Sequence, residues 1–516
     1  MCDIKELEEK KEYVLAMYDI RGKQEFIFRT NRIKEIVGAS KVIEDIFTDY
    51  LFRKSTILHN SRIPFTWEGF QEHLNEGFVG EVVYEGGGNF ILLYKNEEEY
   101  KKATFEFTKE VKKKIGSLRV LGACVPVDSS LNDYKSDEKR LYAEHARLEA
   151  SETNIGMWQS IPVVQVDRRT SFPLTEVWKE EWGICPDKGG KVSKDSAVKY
   201  KKYCEEYPKQ HLEENQTAGD EFGEKIFDNI VTEKGKESLL AVVYIDGNNM
   251  GQQVQDCLEG KKTYEECVAE LRKFSSDIQK NYVDEPLARI NEKLGEKYGD
   301  NKKHRYVVYA GDEINFICNA RDAYKLALEH LSNLPQGCSA CAGIAIFNSH
   351  SPYSDAYRIA EECCETGKKL MKEKGYSSTS FIDFHYCQGA TGSSLESIRK
   401  RETDSVISKP WLIKFDETVD KSISDNIPKA DDVEELSRFL KMLGRSNVKG
   451  LLAPALTGDN EFEMEIMRIK AHMKEPERKA AFKIYDDICE KYKGEMKIRY
   501  LLYDMIITFD LWFREE

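Results

Sequence analysis

One pattern occurs twice in this chain. VLAMYDI (14–20) followed by YEGGGNF (84–90) returns as VVYIDGN (242–248) followed by YAGDEINF (309–316). Each copy begins with an apolar run that ends in an aspartate, and a glycine-tipped hairpin comes later. The first copy reads as a strand at 13–19 and then a helical period at 24–50, set by Phe26, Ile27, Ile33, Ile36, Val37, Ile43 and Ile46. A hairpin at 81–94, a charged helix at 97–117 and a strand at 119–127 complete it. The second copy reads as a strand at 239–246, a helical stretch at 263–297, a hairpin at 305–319, a helix at 321–333, a strand at 338–347 and a helix at 353–374. Both follow the order β-α-β-β-α-β of a ferredoxin-like fold. The expected class is therefore α+β with an internal duplication.

The expected division is 1–127 for the first copy, 128–237 for a mostly helical intervening region, 238–390 for the second copy and 391–516 for a helical C-terminal domain. A length of 516 residues suits several domains, and 41% hydrophobic with 33% charged residues describes a globular chain. No apolar run is long enough to span a bilayer, and the charged start MCDIKELEEKKEY predicts no secretory signal. Thirteen scattered cysteines without framework spacing fit a reducing, cytoplasmic setting. Cys338 and Cys341 form a CxxC, but it runs into the strand-like ACAGIAIF and reads as buried thiols rather than a zinc site. The net charge of −14 weighs against a long nucleic-acid groove but not against small anionic substrates that arrive with a metal ion.

The chemistry points to Asp246, Asp312 and Glu313. In a ferredoxin-like sheet the third strand lies antiparallel beside the first. The end of the first strand, with Asp246, thereby meets the start of the third, with Asp312 and Glu313. Three carboxylates there are expected to bind Mg²⁺ or Mn²⁺ and leave coordination positions open for phosphate oxygens. Paired metals would activate an attacking hydroxyl and stabilise a leaving pyrophosphate. Gly247 and Gly311 keep the backbone uncrowded. Asn248 and Asn249 open a turn or helix whose free N–H groups are expected to receive phosphates. Lys368, on the helix after the last strand, is placed to hold a triphosphate as a point charge, although a solvated lysine-rich face is an equally ordinary reading. The first copy keeps Asp19 but carries Gly88 and Asn89 where carboxylates would stand, so it is expected to bind no catalytic metal. Its Gly87, Gly88 and Asn89 still allow close approach of a nucleotide. DKGGKVS (187–193) lacks P-loop spacing, and no His-Asp dipeptide occurs.

These residues resemble the palm polymerase/cyclase family, and within it the large cyclic-oligoadenylate-synthesising subunit of type III CRISPR effector complexes. YIDGNNMG, YAGDEINF and CAGIAIFNSHSPYSDAYRIAEECCETGKKL resemble that subunit's second palm, with Lys368 at its triphosphate-contacting lysine. YDIRGKQEFIF, IKEIVGAS and YEGGGNFILLY resemble its first palm, and SIPVVQVDRRTSFP the region between. Ala310 replaces the first glycine of a hairpin that usually reads GGDD, and Glu313 replaces its last aspartate. Val166 and Asp167 stand where many relatives have cysteines, and no His-Asp nuclease motif is present.

The resemblance implies two ferredoxin-like palm domains in a pseudodimer. It also implies an enzyme, a nucleotidyltransferase that joins ATP or another NTP into a cyclic or short oligonucleotide messenger in antiviral defence. A downstream effector that senses cyclic nucleotides is the implied partner, and a homo-oligomer is compatible. A guide-RNA-bound effector subunit is disfavoured by the net charge. A catalytically inactive nucleotide-binding scaffold is the third reading.

Overall fold

The computed structural model describes residues 13–53, 55–59, 64–86, 89–151, 163–179, 182, 190–206, 230–233, 236–299, 304–389, 392–403, 406–416, 420, 426–492 and 497–514. They form two compact units, one from residues within 1–225 and 250–280, the other from residues within 226–249 and 281–516.

The first unit is built on β1 (Tyr13–Arg21), β2 (Ile57–Leu58), β3 (Gly80–Gly86), β4 (Asn89–Tyr94) and β5 (Arg119–Val127), in the order β2-β3-β4-β1-β5. The four strands foreseen by the repeat thus adopt the ferredoxin-like order, and β2 extends the edge in parallel to β3. β1 is buried along nearly its whole length, which is why it is apolar on both faces. The core gathers Leu15, Met17, Val83, Ile91 and Leu93 from the strands with Cys267, Val268 and Leu271 from the helix Tyr264–Ile278. That helix also brings Arg272, which donates to Glu81 Oε1 at 2.7 Å in a buried ion pair.

Part of the intervening region packs into this unit. Buried Glu35 accepts from Arg169 Nη1 at 2.6 Å, Ser196 Oγ at 3.0 Å and Thr30 Oγ1 at 3.1 Å. The helices Ile33–Glu44 and Lys194–Glu206 meet backbone to backbone at Gly38, where a Cβ would lie 2.0 Å from the Lys199 carbonyl oxygen. A short hairpin, β6 (Leu174–Val177) with β7 (Lys191–Ser193), lies in the same region, so it is not helical throughout. Most of the polar stretch expected to be helical at 194–236 lies outside the described residues beyond Glu206.

The second unit contains β8 (Leu239–Gly247), β9 (His304–Ala310), β10 (Glu313–Asn319), β11 (Ala340–Asn348), β12 (Thr379–Tyr386) and β13 (Trp411–Phe415), in the order β13-β12-β11-β8-β10-β9. Strands β8 to β11 repeat the ferredoxin-like order, with β8 at the centre. β12 runs parallel to β11 through the crossover helix Tyr353–Lys374. β13 then pairs with β12, so the sheet continues past the boundary expected at residue 390. Trp411 on β13 is fully buried, and that burial recruits a strand from a segment otherwise rich in helices. Helices occupy the described residues from Ala430 onward.

The stretch expected to be helical at 263–297 is so along its length, with a π-helical segment, Gln279–Asp284, between the α-helices Tyr264–Ile278 and Glu285–Tyr298. Tyr264–Ile278 begins with a capping box between Thr263 and Glu266, and Glu285–Tyr298 begins with Pro286 in its first turn. Pro286 has no N–H to donate, so the regular α-helical ladder is interrupted there, beside the π-helical segment. The π-helical segment falls where the chain passes from the first unit back to the second. Among the described residues no helix is long and apolar enough to cross a membrane.

Candidate active site

β8 is flanked by antiparallel neighbours on both sides, and its last residues carry the site. Asp246 stands directly across from Glu313 on β10 and from Cys341 on β11. The turn between β9 and β10 has two central residues, Gly311 and Asp312, with Glu313 pairing to Ala310. Gly311 has φ +67°, the left-handed conformation that such a tight hairpin asks of its first central residue. Gly247 N–H donates to the Asp312 carbonyl at 3.2 Å and locks the turn onto the end of β8. Sequence-distant Asp246, Asp312 and Glu313 are thus neighbours at one sheet end.

Their closeness is electrostatically unfavourable without a cation. Burial and the neighbouring Asp246 push the Asp312 carboxyl up to about 6. Burial, then Asp246 and Asp312, push Glu313 up to about 7. Lys368 supplies the counter-charge. Its Nζ donates to Asp246 Oδ2 and to the Gly247 carbonyl, the latter at 3.1 Å. Burial disfavours the ammonium, but the charge of Asp246 and its hydrogen bond, with smaller contributions from Cys364 and Cys341, together outweigh it and hold the lysine's proton more tightly than usual.

Two glycines bring Lys368 there. A Cβ on Gly343 of β11 would lie 1.8 Å from the Ala360 carbonyl oxygen, and one on Gly367 would lie 3.0 Å from Phe381 Cβ. The helix Tyr353–Lys374 therefore rests on the sheet more closely than side chains would allow. It stops at Gly375, whose φ of +69° gives the left-handed C-terminal cap.

The same helix carries residues that the sequence reading passed over. Tyr357 hydroxyl points to Glu313 Oε1 at 3.5 Å, and its ring meets the edge of Tyr244 at 5.6 Å between centroids. Tyr353 hydroxyl donates to Asn315 Oδ1 at 2.7 Å. Burial and the charge of Glu313 push the Tyr244 and Tyr357 phenols upward, so both stay protonated. The signal was present in the sequence: Tyr357, Glu361, Cys364 and Lys368 recur at helical spacing on one face.

The expected phosphate cradle differs. Gly247 N–H is used by Asp312, and Asn248 N–H donates to the Ser339 carbonyl at 2.9 Å. The buried Asn248 side chain donates to Ser339 Oγ at 3.2 Å and to the Thr379 carbonyl at 3.0 Å. Asn249 has φ +57° and donates to the Ser377 carbonyl at 3.3 Å. Sheet pairing continues one residue past the strand, so these groups brace the site instead of presenting free donors.

The donor set is all hard oxygen, which suits Mg²⁺ or Mn²⁺. Among the described residues no group of three or more His, Cys, Asp or Glu side chains is placed to hold a metal ion. The cation that Asp246 holds is Lys368.

In the first unit Asp19 faces Asn89, the register position that Asp246 and Glu313 hold in the second. Asp19 pairs with Arg21 Nη1 at 3.0 Å, Lys23 Nζ at 3.5 Å and His145 Nε2 at 3.8 Å. Asn89 Oδ1 is buried and has no hydrogen-bond partner among the described residues. Gly87 and Gly88 lie outside the described residues.

No protein-family model and no curated protein sequence matches the chain. Among solved structures it is similar to a chain of the apo Csm1-Csm4 cassette, at 13% identity and a TM-score of 0.49, over 100% of this chain and 72% of that one. It is also similar to a chain of the Csm1-Csm4 cassette in complex with cA4 (16% identity, TM-score 0.44, 79% of this chain and 61% of that one). A third is the same cassette in complex with AMPPNP (15% identity, TM-score 0.43, 72% and 54%). The chain thus spans between 54% and 61% of the length of the two ligand-bound chains.

Proposed function

We propose that the second unit is a palm and that the protein is a metal-dependent nucleotidyltransferase. It would join ATP or another nucleoside triphosphate into a cyclic or short linear oligonucleotide and release pyrophosphate. The observation that supports this most is the register of Asp246 against Glu313, with Asp312 in the adjoining turn. A structural role explains such clustering poorly, because it raises the carboxyl groups' proton affinity and costs stability.

Asp246, Asp312 and Glu313 would hold Mg²⁺ or Mn²⁺, which supplies Lewis-acid stabilisation of phosphoryl oxygens. The remaining work belongs to the chain. Lys368 brings a positive charge to the triphosphate. Tyr357 and Tyr244 wall the carboxylates against water and orient Glu313. Gly311 leaves the turn without a side chain, so an α-phosphate approaches the carboxylates closely. One P–O bond forms from a ribose hydroxyl to the α-phosphorus, and the bond to pyrophosphate breaks.

In this reading the first unit is a palm without its own metal site. Asp19 is already neutralised by Arg21 and Lys23, and Asn89 offers an amide in place of a carboxylate. The product would serve as a messenger for a nucleotide-sensing effector.

Incubation with Mg²⁺ or Mn²⁺ and the four NTPs, followed by mass spectrometry, tests the proposal. Oligonucleotide and pyrophosphate are expected from wild type and neither from Asp246→Ala. Equal product from both proteins would end it.

A further inference from the structure

We propose that Lys368 is a built-in counter-cation that occupies the divalent-metal position in the metal-free protein and is displaced when metal binds. The inference rests on the nucleotidyltransferase reading and adds a role for this lysine at the metal site, before any triphosphate arrives.

Lys368 Nζ touches the Asp246 carboxylate and, at 3.1 Å, the Gly247 carbonyl. Those are two hard oxygen donors of the kind a divalent cation seeks. The lysine is not a free surface charge. Its side chain is 17% exposed and that of Asp246 24%. Its helix is seated by the close approaches at Gly343 and Gly367, so the ammonium is delivered to the carboxylates by packing.

An ammonium and a divalent ion cannot share the same oxygens at short range. Metal entry at Asp246 Oδ2 and the Gly247 carbonyl therefore expels Nζ from them. The lysine stem is flexible, and a freed ammonium at this distance is available to a phosphate. Metal binding and release of the phosphate-binding charge are one exchange, with no covalent change.

The test measures metal binding without nucleotide. Mn²⁺ affinity is read by titration calorimetry or electron paramagnetic resonance on wild type, Lys368→Met and Lys368→Gln. If the lysine competes, both variants bind Mn²⁺ at least about fivefold more tightly than wild type. They also melt at lower temperature without metal, and Mn²⁺ restores much of the difference. Acylation of Lys368 in the wild type, read by peptide mass spectrometry, rises when Mn²⁺ is added. The acylation readout stands even if a variant fails to fold. Unchanged or weaker Mn²⁺ affinity in folded variants, or Lys368 acylation indifferent to Mn²⁺, overturns the proposal while leaving the metal site intact. Failure of wild type and variants alike to bind Mn²⁺ at millimolar concentration removes the counter-cation role and the nucleotidyltransferase reading together. Binding by the variants alone supports strong competition.

Discussion

Glu313 faces Asp246 across one strand pair, at the register position where Asn89 faces Asp19 in the first unit. The two copies share a backbone frame and differ in the charge placed on it. Asp246→Ala and Glu313→Gln are expected to lower nucleotide turnover by about 10²–10³-fold, whereas Glu313→Asp, which keeps a carboxylate, loses less. Steady-state pyrophosphate release checks this. Equal loss from Glu313→Asp and Glu313→Gln would show that side-chain length, not charge, matters there.

Asp19→Asn acts on stability. Its carboxylate neutralises Arg21 and Lys23. Removing the charge is expected to cost about 1–2 kcal/mol once the partial exposure of Arg21 and Lys23 is allowed for. Urea unfolding measures it, and an unchanged midpoint would mean the ion pairs contribute nothing.

The raised carboxyls predict a pH dependence in the metal-free protein. Asp312 is pushed to about 6 and Glu313 to about 7, above their unfolded values near 4. The folded chain then binds these protons more tightly than the unfolded chain. Their contribution to stability is complete below about pH 4 and is lost as pH rises through 6 and 7. Wild type should therefore lose melting temperature relative to Glu313→Gln between pH 5 and pH 8, and Mg²⁺ should narrow the gap. A difference independent of pH contradicts the assignment.

Gly343→Ala forces a Cβ against the backbone of the helix carrying Lys368, 1.8 Å from Ala360 O and 2.6 Å from Cys364 N. A loss of about 2–4 kcal/mol is expected, since neither neighbour is a movable side-chain tip. Gly251→Ala is the control. Nothing lies within 4 Å of its added Cβ, and the residue is helical, so a gain of up to about 1 kcal/mol is expected. Thermal unfolding compares the two, and similar values would refute the close-packing argument.

Arg399 donates from Nη1 and Nη2 to the fully buried Asp383, at 2.9 and 2.6 Å. Burial alone would raise that carboxyl, but Arg399 and its hydrogen bonds outweigh it and hold it below the usual range. Arg399→Met leaves a buried charge without its partner and is expected to cost about 3–5 kcal/mol. Denaturant titration decides, and a cost under about 1 kcal/mol would mean that water or Lys409 takes over.

Much of this was legible in one dimension. Strand periodicity, the repeat and the placement of Asp246, Asp312 and Glu313 at strand ends all follow from local pattern, because a β-branched run closed by glycine and aspartate has few other conformations. The recruitment of β13 and the packing of Tyr264–Ile278 in the first unit did not follow. Each depends on which apolar face finds a partner, and a helical period names a face without naming what covers it. The same limit applied at the site. The chain itself determined which acids could meet. Only tertiary packing decided that Asn248 would spend its donors on Ser339 and Thr379, and that Gly343 would let a helix lower Lys368 onto Asp246, because hydrogen-bond partners and close approaches are set by distance in space, not by spacing along the chain.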